Sequence, residues 1–476
     1  MATESMLKFV DRAQTYPVKR EADLRAEDFR EIADRYPVPG AEEQAGRCSQ
    51  CGVPYCSVHC PLHNHIPDWL RLTAEGRLRE AYELSNATST MPEICGRICP
   101  QDRLCEGNCV IEFSGHGAVT IGAVEKFITD TAWENGWVEP LVPGRARGQS
   151  VGVIGAGPAG LTAAEYLRGN GYDVHIYDRH DRAGGLLTYG IPGFKLEKPV
   201  VMRRIERLAA AGIVFHQGFA AGADASLDDL RRRHDAVLIA TGVYRARALE
   251  LAGADADGVV AALDYLTASN RKGFGDDVPL FDDGTLSAEG KHVVVVGGGD
   301  TAMDCVRTAI RQGAASVKCL YRRDRTNMPG SQREVANAEE EGVEFVWLSQ
   351  PAAIEGRQVR VRRMRLGALD ASGRRAPEVD PGGDIAIPAD MVVKALGFDA
   401  EDLPTLFGAG GLGVSRWGTV LVDGKTLMTS LDGVFAAGDI VRGASLVVWA
   451  IRDGRDVAAS MHAWLKTKAA SERVAA

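Results

Sequence analysis

VGVIGAGPAG (Val151–Gly160) and VVVVGGGDTA (Val293–Ala302) are the two stretches on which the fold turns. Each is a β-branched run and a glycine cluster, followed by residues at helical spacing: LTAAEYLRGNGYDVHIYD after the first, MDCVRTAIRQGAASVKCLYRR after the second. A strand, a tight turn, a helix and another strand make a β-α-β unit. Each unit is followed by a buried strand pattern ending in a turn glycine, VLIATG (Val237–Gly242) and VVKALG (Val392–Gly397). The repeat predicts an α/β chain with two dinucleotide-binding, Rossmann-like domains. A further strand pattern, GVFAAGD (Gly433–Asp439), and a helical stretch over 444–459 follow the second unit. They predict that one domain is split by the other: residues 146–245 and 398–476 form the first, residues 246–397 the inserted second, and 466–476 a frayed tail.

Residues 1–145 have few β-branched runs and short helical patterns, so a mainly helical domain is expected ahead of the sheets. Within it, Asn64 is placed to cap a helix starting near Pro67, with Ile66, Trp69, Leu70, Leu78, Ala81 and Tyr82 at helical spacing. Residues 139–149 read as a linker and 270–290 as a polar loop. The length, 476 residues, exceeds what one hydrophobic core holds. With 45% hydrophobic and 25% charged residues, wholesale disorder is excluded. A net charge of −9 argues against a nucleic-acid partner. No apolar run reaches the roughly 18 residues of a membrane span, so a cytoplasmic chain without membrane attachment is expected.

A glycine-rich turn before a helix holds a pyrophosphate with backbone N–H groups and the helix N-terminus. In the first unit Gly155 makes the turn, Gly157 admits the phosphates and Gly160 lets helix and strand pack, with Pro158 and Ala159 opening the helix. Asp178 ends the next strand, where a carboxylate binds a ribose 2′-OH and repels a 2′-phosphate. In the second unit Gly297, Gly298 and Gly299 turn the chain, Asp300 and Thr301 open the helix, and Arg322 and Arg323, with Arg325 nearby, stand where the acid would be. Guanidinium groups there suit a 2′-phosphate; a solvated basic edge is the simpler alternative. The contrast reads as FAD in the first domain and NADPH in the second. Thr241, Gly242 and Gly397, at the strand-end turns, join the cofactor-binding set. Gly438 and Asp439 would reach the flavin's ribityl chain or phosphate, and Ala444, Ser445 and Leu446, opening the following helix, its pyrimidine edge.

Eight of the ten cysteines lie between Cys48 and Cys109. CSQCGVPYCSVHCP holds Cys48, Cys51, Cys56 and Cys60; CGRICPQDRLCEGNC holds Cys95, Cys99, Cys105 and Cys109. One CxxC is too few for paired zinc knuckles. Runs whose fourth cysteine serves the other cluster are the ferredoxin pattern. By that crossing, Cys48, Cys51, Cys56 and Cys109 would hold one 4Fe–4S cluster, and Cys60, Cys95, Cys99 and Cys105 a second. His59, His63 and His65 are read as polar neighbours, and Cys305 and Cys319 as inert core residues. The chain outside the cluster region has no paired thiols for a flavin disulfide reductase, and no acid–base triad is apparent, so catalysis is left to the cofactors.

CSQCGVPYC, PEICGRICPQDRLCEGNCV, GAVTIGAVEKF, VGVIGAGPAGL, GGLLTYGIPGFKLEK, VVVVGGGDTAMDCVRTAIRQGA, YRRDRTNMPGS and GVFAAGDIVRGASLVVWAIRDGRDVA together resemble the small (β) subunits of bacterial NADPH-dependent glutamate synthases, over roughly residues 40–465. The module is also similar to the N-terminal half of dihydropyrimidine dehydrogenase. The resemblance implies an electron-input subunit: NADPH reduces FAD, and electrons pass through the clusters to FMN on a large (α) subunit carrying an iron–sulfur cluster and a glutaminase site. There 2-oxoglutarate and glutamine-derived ammonia give L-glutamate. It also implies that GGLLTYGIPGFK, with Gly185, Leu186, Gly190, Ile191 and Lys195, borders the flavin, and that Glu125 could replace Cys95 as a ligand. Glutamine chemistry is expected elsewhere, because this chain begins Met1-Ala2 rather than with a nucleophilic cysteine. A different acceptor, ferredoxin or a pyrimidine, is the alternative.

Overall fold

A computed structural model describes residues 7–369, 373 and 375–475. Helices α1 (Val38–Ala45), α2 (Tyr55–His59), α3 (Ile66–Ala74), α4 (Leu78–Thr88), α5 (Pro92–Ile98) and α6 (Ile121–Glu134) make the N-terminal part. Their apolar faces bury Trp69, Leu70, Ile121, Val124 and Phe127 in one core with Cys105 and Cys109. The stretch 66–82 is two helices rather than one, because Gly76 turns the chain at φ 73° between α3 and α4. Asn64 does not cap α3. Its Oδ1 accepts from the Trp69 indole at 3.1 Å and its Nδ2 donates to the Ser85 carbonyl, so the amide ties α3 to α4.

The first sheet contains β1 (Ser150–Ile154), then α7 (Pro158–Gly169), β2 (Asp173–Asp178), α8 (Lys198–Ala210), β3 (Val214–Gln217) and β4 (Ala236–Ile239). The second sheet comprises β5 (Val259–Ala261), β6 (His292–Val296), α9 (Asp300–Arg311), β7 (Ser316–Tyr321), α10 (Gln332–Glu340) and β8 (Glu344–Trp347). An antiparallel ribbon of β9 (Ser349–Glu355), β10 (Gln358–Leu369) and β11 (Arg375–Pro388) follows, before β12 (Met391–Lys394) completes that sheet. The strand β13 (Val434–Ala436) then returns to the first sheet, pairing parallel with β4. The orders are β13-β4-β1-β2-β3 and β5-β12-β6-β7-β8, all parallel. Consecutive parallel strands need crossovers, and α7 and α9 supply them. An antiparallel pairing of Arg245–Ala246 with Phe398–Asp399 joins the strands that leave and re-enter the split domain.

The β9–β11 ribbon was not anticipated, although β10 carries its signature: Val359, Val361 and Met364 are buried, while Arg360, Arg363 and Arg365 face out. Asn270 is not loop. It lies in the helix Ala262–Gly273, buried, and donates to the Tyr189 carbonyl at 2.9 Å. The final helix, α11 (Val447–Ala475), starts three residues after Ala444 and runs through the segment expected to fray. The helical part and the first sheet share one core, in which Met91, Ile94 and Cys95 pack with Leu187, Leu196 and Val448. A buried bidentate pair, Arg204 of α8 with Glu93 of α5 at 2.8 Å, crosses the same boundary. Among the described residues no helix is long and apolar enough to cross a membrane.

Candidate functional site

The glycine turns have the geometry their spacing implied. Gly155 sits at φ 108°, and a Cβ there would lie 2.3 Å from the Ala240 carbonyl oxygen. A Cβ on Gly160 would lie 2.0 Å from the Gly155 carbonyl oxygen, whereas Gly157 faces open space. The second turn repeats this, with Gly297 at φ 149° and 2.3 Å from the Ala395 oxygen, Gly298 under the Tyr321 ring and Gly299 open. Asp178 braces the first turn: Oδ2 accepts from the Ala156 N–H at 2.7 Å and Oδ1 from the His180 backbone. It also lines a cavity of about 270 Å³ with Gly155, Thr241 and Tyr244, the last stacked by Arg179 at 4.7 Å.

At the end of β7 the two arginines part company. Arg322 is exposed, while Arg323 is buried and its Nε donates to the Arg375 carbonyl of the ribbon at 2.6 Å. Arg325 pairs with Glu339 at 2.8 Å. The Asp300 carboxylate accepts from the Ser331 N–H at 2.9 Å.

Gly438 brings the strand end against α7, where its Cβ position meets Ala159 at 2.9 Å. Asp439 follows; burial raises its pKa to about 6, opposed by a hydrogen bond from the Ser445 backbone. Gly454 of α11, which sequence reasoning missed, sits where a Cβ would be 2.3 Å from the Ala159 oxygen, so only glycine lets α11 lie this close. Lys198 was missed too. Its ammonium donates to the Leu187 carbonyl at 3.0 Å and to the Ile191 carbonyl, clipping the segment that precedes Lys195, and burial lowers its pKa to about 7. Burial opposes charge on Lys195, yet Asp304 at 3.0 Å and Glu334 hold its pKa above the ordinary range.

The eight cysteines fall into two groups. Cys48, Cys51, Cys56 and Cys109 line one apolar cavity. Cys60, Cys95, Cys99 and Cys105 line another, and Glu125 shares its wall. Glu125 reaches it because α5 and α6 touch at Gly96, whose Cβ position is 2.7 Å from the Lys126 nitrogen. Its carboxylate accepts from Ser85 at 3.2 Å, and burial raises its pKa to about 8. Burial pushes Cys48 up to about 12 and Cys56 and Cys60 to about 11. Thiols so reluctant to ionise are poor nucleophiles but are ionised by a bound metal. Among the described residues no three ligand-type side chains close on a single metal ion; the thiols instead ring two cavities. His59 and His65 are exposed outside both. Cys305 and Cys319 are fully buried in the second sheet's core.

A larger cavity, about 510 Å³, opens where the three units meet. Cys99 and Gln101 come from the helical part, Ile191, Lys195, Ser445 and Leu446 from the split domain, and Asp300, Asp304 and Arg333 from the inserted one.

Residues 25–137 match the family model of dihydropyrimidine dehydrogenase domain II, 4Fe-4S cluster, and residues 149–454 that of pyridine nucleotide-disulphide oxidoreductases. The chain is 65% identical over 473 residues to the glutamate synthase [NADPH] small chain of Azospirillum brasilense, covering 98% of each. It is 46% identical over 475 residues to that of Escherichia coli K12, covering 98% of this chain and 100% of the relative. Mycobacterium tuberculosis FprA in complex with NADPH shares the fold at TM-score 0.57 and 20% identity, over 69% of this chain and 86% of that one. Fold and site define a flavin- and pyridine-nucleotide-dependent oxidoreductase fused to a 4Fe–4S domain. Within that class the chain belongs to the glutamate synthase [NADPH] small-chain family, whose role is electron input. A small chain implies a large-chain partner.

Proposed function

We propose that this chain oxidises NADPH at FAD and sends the electrons through two 4Fe–4S clusters to FMN on the large chain. There 2-oxoglutarate and glutamine-derived ammonia become L-glutamate, in a cytoplasmic hetero-oligomer. The reading rests on the three-walled cavity, in which a cysteine of one thiol group shares a surface with both nucleotide units. Bound FAD accepts a two-electron hydride and releases electrons singly, the conversion iron–sulfur carriers require.

The residues serve that conversion by position. The glycines at 155, 157 and 160 and at 297–299 present N–H groups to the two pyrophosphates. Asp178 holds the first turn and faces a ribose, and Arg322 takes the 2′-phosphate of NADPH, while Arg323 secures the ribbon behind it. Lys198 fixes the 184–195 segment against the flavin, and Lys195, neutralised by Asp304 and Glu334, ties it to the inserted domain. Cys48, Cys51, Cys56 and Cys109 hold one cluster; Cys60, Cys95, Cys99 and Cys105 hold the other, with Glu125 as neighbour rather than ligand. The domain limits follow the same assignment, 1–145, 146–245 with 398–476, and 246–397.

Anaerobically purified chain, analysed for flavin and iron and used as bait for the large chain, tests this. FAD with about eight irons per chain and a stable complex is the expected result, from two four-iron clusters. A colourless protein, or one holding zinc, overturns the reading.

A further inference from the structure

Among the described residues, the inserted domain's two apolar cores draw only on residues 249–396, whereas the helical part and the first sheet share one. Charged pairs such as Arg182–Asp276 at 2.7 Å and Lys195–Asp304 at 3.0 Å seat the inserted domain instead. It joins the rest at the short pairing of Arg245–Ala246 with Phe398–Asp399. An interface of that kind leaves relative domain motion as the default.

One of the charged contacts is buried and comes from the N-terminal end of the chain. Arg25, in the helical turn Ala22–Ala26, is 2% exposed. Its NH2 donates to Glu340 of α10 at 2.7 Å, and its NH1 lies 3.7 Å from Glu341, the residue after α10. Glu341 already accepts bidentate pairs from Arg307 and Arg311 of α9, at 2.7 to 3.0 Å. Those two guanidinium groups lie over the Phe194 ring at 4.4 and 4.0 Å, and Phe194 precedes Lys195 in the segment read as bordering the flavin. Phe29 packs against the same ring with centroids 6.2 Å apart, and its carbonyl oxygen would lie 2.7 Å from a Cβ on Gly193. The N-terminal stretch is itself anchored to the helical part, where Glu31 accepts from Arg97 at 2.6 Å and from Lys126.

Arg25 is poorly placed to add stability. Its Nε and NH1 have no hydrogen-bond partner among the described residues, and a buried charge so incompletely paired loses in desolvation what attraction returns. Orientation is what the contact supplies. We propose that Arg25 is a positioning residue for hydride transfer: by holding α10 through Glu340 and Glu341 it keeps Arg307 and Arg311 over Phe194, and so keeps the inserted domain's nucleotide in register with the 184–195 segment. The proposal rests on the functional reading above for NADPH as donor and FAD as acceptor. A hydride passes only between closely apposed atoms, so a small rotation about the 245–246 and 398–399 pairing slows transfer without disturbing the phosphate contacts that bind NADPH.

Anaerobic stopped-flow reduction of the flavin in the holo chain by NADPH tests it. Arg25→Met leaves Glu340 paired with Lys19 and Glu341 with Arg307 and Arg311, so no carboxylate is orphaned and the melting temperature should stay within about 3 °C of wild type. The limiting rate of flavin reduction should fall about tenfold or more, while the Kd for NADPH stays within about twofold and iron and flavin contents are unchanged. Glu340→Gln, at a 43% exposed side chain, should share the defect, and the double variant should be no slower than Arg25→Met, because both act on one contact. A limiting rate within about twofold of wild type in either single variant, losses that multiply in the double variant, or a slower rate found only with a lower melting temperature overturns the proposal and leaves the functional reading standing. A wild-type flavin that NADPH does not reduce overturns both.

Discussion

On the proposed function, the exposed guanidinium of Arg322 at the end of β7 sets which nicotinamide dinucleotide the second unit prefers. Arg322→Ala removes one charge-assisted contact, so KM for NADPH should rise roughly 10- to 100-fold while KM for NADH barely moves. Equal effects on both nucleotides would take Arg322 out of the 2′-phosphate site. The sequence showed a basic strand end but not that Arg323 turns inward, because the alternation of a strand end depends on what packs beneath it, here the unforeseen ribbon. At the thiol groups the crossed grouping was legible from spacing, whereas the choice between Cys95 and Glu125 was not. The structure sets Glu125 on Ser85 and on the same cavity wall as Cys95. Cys95→Ser should therefore lose about half of the iron and Glu125→Gln almost none, since one four-iron cluster of two depends on it. The reverse pattern in an iron assay would reassign the ligand.

Between elements, the first sheet carries an acid sensitivity in its edge. His234 lies between Ser150 and Tyr177, with Ser150 Oγ at 3.1 Å and the Tyr177 hydroxyl at 2.9 Å, and His175 and His216 stack nearby. Burial first, then His175, His216 and Arg233, lowers its pKa from 6.5 to about 4. The unfolded chain therefore binds a proton that the folded chain refuses between those values, and stability falls as pH drops through that window. Chemical denaturation of His234→Gln at pH 7 and pH 4.5 should show a smaller drop than wild type; parallel drops would remove His234 from the effect. The β-α-β repeats and the returning strand were readable because their glycines and buried runs are local signals. The break between α3 and α4 and the close seating of α11 were not, since Gly76 and Gly454 are ordinary glycines until the partner surfaces are known.

Across the whole molecule, three units of different origin converge on one cavity, and that convergence matters more than any one motif. A split domain with the second sheet inserted leaves Ile191, Lys195, Ser445 and Leu446 of one nucleotide unit and Asp300 and Asp304 of the other on the same cavity, and the helical part closes it with Cys99. The buried Arg204–Glu93 pair and the shared core hold the helical part against the split domain, and Lys195 with Asp304 and Glu334 ties the inserted domain to it. On the proposed function, electrons entering here end in L-glutamate. NADPH oxidation by the complex reconstituted with the large chain tests it most directly. Oxidation that requires both glutamine and 2-oxoglutarate and yields L-glutamate is expected; oxidation that proceeds equally well without 2-oxoglutarate would overturn the proposed function.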